Sequence, residues 1–448
     1  MKKLAKIIIG ILIFCTTQIN VSANPINKTI LKSGINRGAI SVSVKDVSTG
    51  KTVYSLNDKI PKNPASTLKI ITLNASLNTL GKDYEFSTEL YKNTNNELYL
   101  KLGGDPFLTS SNLNTLFAAA SSKNITEPKA VYVDDFIFDD VEWGEGWQWD
   151  DDLNPLMPKF SSYNLDKNLL NIVITPTATD APAEIRTTKF YPVTFMNLVT
   201  TGDHNLISIT RNNSISPNII NIQGSIKKQV TKQIPVNYPK RYFIIRCEEA
   251  IRAAKIDYYG KFNQKKTPSQ NVYLVSKITH PISDVVAEIL KNSNNLAAES
   301  VFKAAGAKYV NNTGSLENSL KMLNAYFEKI NINPEQIRIV DGSGVSKNNL
   351  ITADFMSEFL VKISSDSDYK NSLQTAGEGT LSERMLYFKD NIRAKTGTLS
   401  DISAIAGYLT ARSGKTYAFD IMINDPKSKS GDKKSLEEYI LREIFTNY

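Results

Sequence analysis

The sequence is nearly without cysteine and histidine. Of its 448 residues two are cysteine, Cys15 and Cys247, and two are histidine, His204 and His280. Such a set does not supply a cysteine–histidine zinc site; no metal and no cofactor is expected. With Cys15 in a segment expected to be removed, the one remaining thiol cannot close an internal disulfide. Cys247 therefore reads as a buried free cysteine, and stability has to come from a core. The chain also lacks a Gly-x-Ser-x-Gly elbow. "RSGKTYAF" holds Gly414-Lys415-Thr416, but Leu409 stands where a phosphate loop requires glycine. Alternating residues on both sides, "AIAGYLT" and "TYAFDIMI", make that stretch a hairpin turn.

Long apolar runs are missing as well. The longest candidate opens the chain, "MKKLAKIIIGILIFCTTQINVSANP". Its run from Ile7 to Phe14 falls well short of the ~20 residues that span a bilayer. Lys2, Lys3 and Lys6 precede it, and the small residues Val21 and Ala23 follow, the pattern of an export signal over 1–23 cut after Ala23. "LIFC" lacks the small residues that precede a lipidated cysteine. Loss of those three lysines lowers the formal net charge from +8 to +5. This scattered excess suits a soluble exported protein near anionic envelope polymers, without stable membrane insertion, and gives no case for nucleic acid.

The length suggests two or three domains. "AISVSVKDVSTGKTVYSL" reads as two strands with a turn at Ser48 to Gly50. In "NPASTLKIITLNASL" the residues Leu68, Ile70, Ile71, Leu73 and Leu77 keep helical spacing from Ser66 onward. From about Glu85 short alternating segments take over ("ELYLKLGG", "AVYVDDFIF", "NLLNIVITP", "NLISITRNN"), together with an acidic, aromatic loop, "WGEGWQWDDDLNPLMP". Helices return with "RYFIIRCEEAIRAAKI"; then come a strand, "NVYLVSKI", and a run of helical segments. The closing "SLEEYILREIF" carries a capping-box pattern from Ser435 to Glu438. The whole suggests a mixed α/β domain, 24–85 and 265–448, split by a β-rich insertion over 86–264.

Three short signals stand in order: Ser66-x-x-Lys69, Ser293-x-Asn295 and Lys395-Thr396-Gly397. Each alone is weak. Ser-x-x-Lys recurs in several places, among them Ser48, Ser225, Ser367 and Ser430, and Lys-Ser-Gly at Lys32 and Lys429. Context selects among them, because Ser66 alone opens a long apolar helix, one turn from Lys69 on the same face. Ser66 reads there as a helix cap, a nucleophile, or both. Ser293 to Asn295 lies between two helical segments, where a loop can present side chains to a cleft, and Asn295 also reads as a helix cap. "DNIRAKTGTLSDISAIAGYL" suits a strand lining a groove, with an edge open to an extended peptide.

With "PASTLK", "GGDPFLT", "GWQWDDD", "SNNLAAE", "DGSGVS", "GTLSERM" and "AKTGTLSDISAIAGYL" added, the chain resembles the low-molecular-mass class C penicillin-binding proteins. These are D-alanyl-D-alanine carboxypeptidases and endopeptidases with an insertion between the first two motifs. The resemblance implies a β-lactamase/transpeptidase-like α/β (α+β) domain: an antiparallel sheet flanked by helices, with a β-rich inserted region. It implies Ser66 as the nucleophile and Lys69 as its base, neutral near pH 7 through burial and the nearby Lys395. Ser293 would relay a proton to the leaving amine and Asn295 would hold the substrate amide. Lys395, Thr396 and Thr398, around Gly397, would take the terminal carboxylate, and the N–H groups of Ser66 and Thr398 the oxyanion. Lys347 matches a basic position facing substrate. Asp151 and Asp152 of the acidic loop, with Asp150, read either as meeting an amine on the stem peptide or as a solvated turn. The sequence departs from the family pattern at "NPLMPKFSSYNLDKN". The implied partners are peptidoglycan peptides and β-lactam antibiotics.

Two other functions compete. A serine β-lactamase of the class A kind would carry a Glu-x-x-x-Asn segment after the second motif, and none lies between Ser293 and Lys395. A non-catalytic wall-binding scaffold has no physical need for both lysines and the serine.

Overall fold

The computed structural model describes residues 24–211, 216–335 and 337–448. The expected signal, 1–23, lies outside them. A five-stranded antiparallel sheet runs in the order Ile392–Leu399, Ile402–Thr410, Thr416–Asn424, Ile40–Asp46, Thr52–Leu56. First and last parts of the chain thus meet in one sheet, with Ile40 opposite Ile423 and Asp46 opposite Tyr417. The turn at Gly414 closes a hairpin in which Thr410 pairs with Thr416. The strand carrying Lys395 is the sheet's edge.

Each face of this sheet has its own core. Ile26, Ile30, Leu436, Ile440 and Ile444, from the first and last described helices, pack with Val42, Phe419 and Ile421. On the other face Ala404, Ala406 and Met422 join the helices Lys69–Leu80, Ile282–Asn292, Asn295–Val310, Leu316–Lys329 and Ala353–Lys362. Lys69–Leu80 is buried on nearly all sides, the position of a central core helix. Its polar groups are satisfied within: Thr72 donates to the Gly342 carbonyl, and Tyr326 donates to Asn74 at 2.5 Å.

Between these helices the chain builds a mixed five-stranded sheet, Phe262–Gln264, Ala130–Asp134, Glu97–Leu102, Glu85–Asn93, Val272–Pro281, and two three-stranded sheets. A core of their own, including Leu100, Phe117, Ile172, Ile222, Phe243 and the free Cys247, holds them. The helix Ser110–Ser122 has no counterpart in the strand pattern read from the sequence. Its signals are local: Thr109 and Asn112 cap its start reciprocally, and Leu113, Leu116, Phe117 and Ala120 form its buried face. The last helix likewise begins at Ser430, five residues before the capping-box pattern, so Ser435 lies inside it and caps nothing. Among the described residues no helix is long and apolar enough to cross a membrane.

Candidate active site

Ser66 lies in a 3-10 turn, Ala65–Leu68, that feeds the helix beginning at Lys69. Asn63 shapes the turn by accepting from the Ala65 N–H at 2.9 Å, and Ala65 takes the left-handed region (φ 47°). The Ser66 side chain caps no helix; its hydroxyl oxygen accepts from Lys69 Nζ at 2.9 Å. Of the two readings of Ser66, the geometry leaves the hydroxyl to the lysine.

Lys69 is fully buried, and its ammonium has two more acceptors at 2.6 Å, the Asn295 amide oxygen and the Ser343 carbonyl. Burial lowers its pKa to about 7, against the pull of Asp341 and Glu299, whose charges raise it. Repulsion between the two lysines falls on Lys395, which burial first and Lys69 second push well down. Burial therefore carries the effect on Lys69, rather than burial and Lys395 together.

The second motif owes its shape to Ser293, held in the left-handed region (φ 57°) between two helices. Asn294 caps the second helix, accepting from the Ala297 N–H at 3.0 Å. Asn295 is therefore the first helical residue, not the cap. Its oxygen is free for Lys69, while its amide nitrogen donates to the Leu156 carbonyl at 2.7 Å. That contact draws in the stretch that departs from the family pattern: Asn154, Leu156 and Met157 form one wall of the site.

Lys395, also fully buried, donates to Ser293 Oγ at 3.0 Å and to the Thr396 carbonyl at 2.9 Å. Two lysines thus stand behind two serines. The glycine of the third motif serves close approach. A Cβ at Gly397 would lie 2.8 Å from the Pro64 carbonyl oxygen and 2.9 Å from Ser66 N, so only glycine lets the edge strand reach the serine turn.

A cavity of about 770 Å³ opens over this cluster, lined by Ser66, Ser293, Asn295, Thr396 and Thr398. Lys347 and Asp151 also line it. Asp152 does not: it pairs with Arg211 at 2.8 Å and lines a smaller cavity with Trp143 and Trp149. His280 is paired with Asp105 at 2.6 Å, and neither lines the main cavity. Among the described residues no group of three or more His, Cys, Asp or Glu side chains is placed to hold a metal.

Several residues of the site carried no role in the sequence reading. Glu299, one turn after Asn295 and buried, accepts the Gly342 N–H at 3.0 Å and the Ser343 N–H at 2.8 Å. Burial, then the charge of Asp341, pushes its pKa up. Asp341 accepts from Gly344 N, Ser346 N, Asn349 Nδ2 and the indole of Trp147. Trp147 thereby ties the acidic loop to the loop that receives Lys69. Thr380 meets Thr396 hydroxyl to hydroxyl at 2.6 Å. The quoted strings "SNNLAAE", "DGSGVS" and "GTLSERM" contained these residues, but nothing local announced their contacts.

A serine hydroxyl bonded to a buried lysine whose pKa is lowered to about 7, at the mouth of a cavity beside a second buried lysine, is an arrangement suited to serine acyl transfer. The chain belongs to the D-Ala-D-Ala carboxypeptidase 3 (S13) family, whose model matches residues 22–441. A D-alanyl-D-alanine carboxypeptidase of Actinomadura sp. (strain R39) is 27% identical over 431 residues, 88% of this chain and 79% of that one. The D-alanyl-D-alanine carboxypeptidase DacB of Haemophilus influenzae is 24% identical over 446 residues, 93% of this chain and 92% of the relative. The crystal structure of penicillin binding protein 4 (dacB) from Haemophilus influenzae has the same fold. It superposes with a TM-score of 0.82 at 23% identity, covering 95% of this chain and 98% of that one. A second crystal structure of that protein, complexed with a novel β-lactam, gives a TM-score of 0.79 at 22% identity, covering 94% and 99%.

Proposed function

We propose that this D-alanyl-D-alanine peptidase acts on peptidoglycan stem peptides, terminal or cross-linked, through an acyl-enzyme on Ser66. The observation that carries the reading is the set of contacts at Lys69: one hydroxyl to deprotonate and two acceptors that fix the amine. In the proposed reaction Lys69 takes the Ser66 proton as the oxygen attacks the carbonyl. The N–H groups of Ser66 and Thr398 hold the oxyanion, and Asn295 holds the substrate amide. Ser293, between Lys395 and the cavity, passes a proton to the leaving amine. Lys395, Thr396 and Thr398 face the leaving residue's carboxylate, which favours the charged form of Lys395. Lys347 and Asp151 contact the acyl-side peptide, and Asp151 suits an amine there. Water then cleaves the ester.

We propose further that β-lactams acylate Ser66, that the protein is exported, and that it works in the cell envelope. The catalytic unit is proposed as 24–85 with 265–448, and the insertion as 86–264, its sheet completed by Val272–Pro281.

The test is intact mass after incubation of the mature protein with penicillin, with Ser66→Ala alongside. The expected result is a persistent adduct on wild type only. Fast turnover of the antibiotic without an adduct indicates a β-lactamase, and no reaction at all indicates a scaffold.

A further inference from the structure

The cavity has charge of opposite sign on different linings. Asp151 belongs to the loop side, near Leu156 and Asn295. Beyond Thr396 the lining continues through Thr380 to Arg384, Ser430 and Lys434. Two contacts mark its ends: Thr380 meets Thr396 at 2.6 Å, and Arg384 donates to the backbone carbonyl of Lys434 at 3.3 Å. Arg384 is already matched, because its guanidinium pairs with the fully buried Glu437 carboxylate at 2.6 Å. Lys434, half-buried on the last helix, differs. Among the described residues its ammonium has no hydrogen-bond or ion-pair partner, although it faces the cavity.

We propose that Lys434 forms an anion subsite for the departing half of a cross-linked substrate, recognising a carboxylate beyond the one taken at Lys395. This rests on the proposed peptidase reading and deepens it. A departing single D-alanine has one carboxylate, which Lys395 and Thr396 meet. A departing stem peptide is longer and carries further carboxylates, and it must leave the cavity along the strand side. The first positive charge on that way without a direct ion pair is Lys434, whose charge acts only at a distance on the Arg384-paired Glu437. An ion pair there costs the protein little, since the lysine is held on a helix and needs no partner to be broken first. Its reach is short in salt, as for any partly exposed pair. The subsite therefore separates substrates by the chemistry of the leaving group and not by the acyl half.

The experiment compares two synthetic cross-linked dimers that differ only in the leaving peptide, one with free carboxylates and one with those distal carboxylates amidated. Cleavage of each is followed chromatographically with wild type, Lys434→Gln and Lys434→Glu, and Ser66 acylation by penicillin is measured on every sample. Wild type is expected to cleave the free-carboxylate dimer with a kcat/KM about two- to fivefold above that of its amidated twin, at low salt. The ratio should fall to near one in Lys434→Gln and invert in Lys434→Glu, with the change in KM. A ratio near one in wild type, or one that survives both substitutions, overturns the subsite. Equal losses on the two dimers also overturn it, because they place Lys434 at the shared carboxylate. Failure of wild type to form the penicillin adduct and to cleave either dimer overturns the peptidase reading instead.

Discussion

Glu299 holds Ser343 by its backbone: the carboxylate accepts the Ser343 N–H at 2.8 Å, and the Ser343 carbonyl receives Lys69 at 2.6 Å. The charge of Glu299 also raises the Lys69 pKa. Glu299→Gln keeps the volume, removes the charge and turns an acceptor into a donor. Acylation by a chromogenic cephalosporin should slow about tenfold or more, the effect of ~1–3 kcal/mol for a mismatched buried group. The acid limb of the rate profile should move to lower pH, since the amine then loses its proton more readily. A slower variant with an unmoved limb would leave Glu299 a purely structural role.

The Lys69 pKa of about 7 sets the pH dependence of wild type. Only the neutral amine accepts a proton, so acylation should rise as pH climbs through about 7 and level off above it. Lys69→Ala should lose on the order of a thousandfold, within the range of general-base catalysis, while still unfolding cooperatively. Lys69→Arg should be equally inactive at every pH, because guanidinium does not deprotonate. Stopped-flow acylation across the pH range reads all three, and activity in Lys69→Arg would remove the lysine from the base role.

Gly344 sits in the left-handed region (φ +78°), and a Cβ there would lie 2.0 Å from the Ala65 carbonyl oxygen. Gly344→Ala should therefore push on the turn that carries Ser66. A loss of at least ~2 kcal/mol is expected in urea unfolding, from backbone strain together with the clash. Acylation of the folded fraction should slow as well. Wild-type stability in this variant would mean that the two loops move apart freely.

Trp147 donates to buried Asp341 at 2.9 Å and packs edge-on against Trp143 and Phe160. Trp147→Phe keeps a ring but leaves that carboxylate oxygen one donor short, with Ser346 N still in place. Stability should fall by ~1–3 kcal/mol, and the loop through Asp151 should become more open to limited proteolysis. Unchanged proteolysis would show that Pro, Asn and backbone contacts hold the loop without the indole.

Much of the site was legible because its chemistry is written in short strings with fixed local geometry. Ser66 and Lys69 share a helical turn, and Lys395 to Thr398 share a strand. The division of labour between Asn294 and Asn295 was not, since either suits a cap and the choice depends on Lys69, over 200 residues away in sequence. Asp151 and Asp152 are adjacent in the chain yet part company: one lines the cavity, and the other pairs with Arg211. Glu299 was hidden for a similar reason: its partners, Gly342 and Ser343, are donors of the backbone, which every sequence has. In the fold, the sheet and its helices followed from alternation and helical spacing. The helix Ser110–Ser122 was lost among strands because its buried stripe is short and its polar face is serine and asparagine.

The contacts of Lys69 and Lys395 have a consequence for the order in which the chain acquires reactivity. Lys69 needs residues 295 and 343, and Ser293 meets Lys395. As the polypeptide emerges from its N-terminus, Ser66 and Lys69 come early, and in an unfolded chain such a lysine keeps its ordinary charge, with a pKa near 10.4. On the proposed role of Ser66, the serine stays inert until the edge strand Ile392–Leu399 has closed against its turn. Chain order thus does for the proposed nucleophile what a removable inhibitory segment does for others: it withholds Ser66 until the strand carrying Lys395 has been made and has folded.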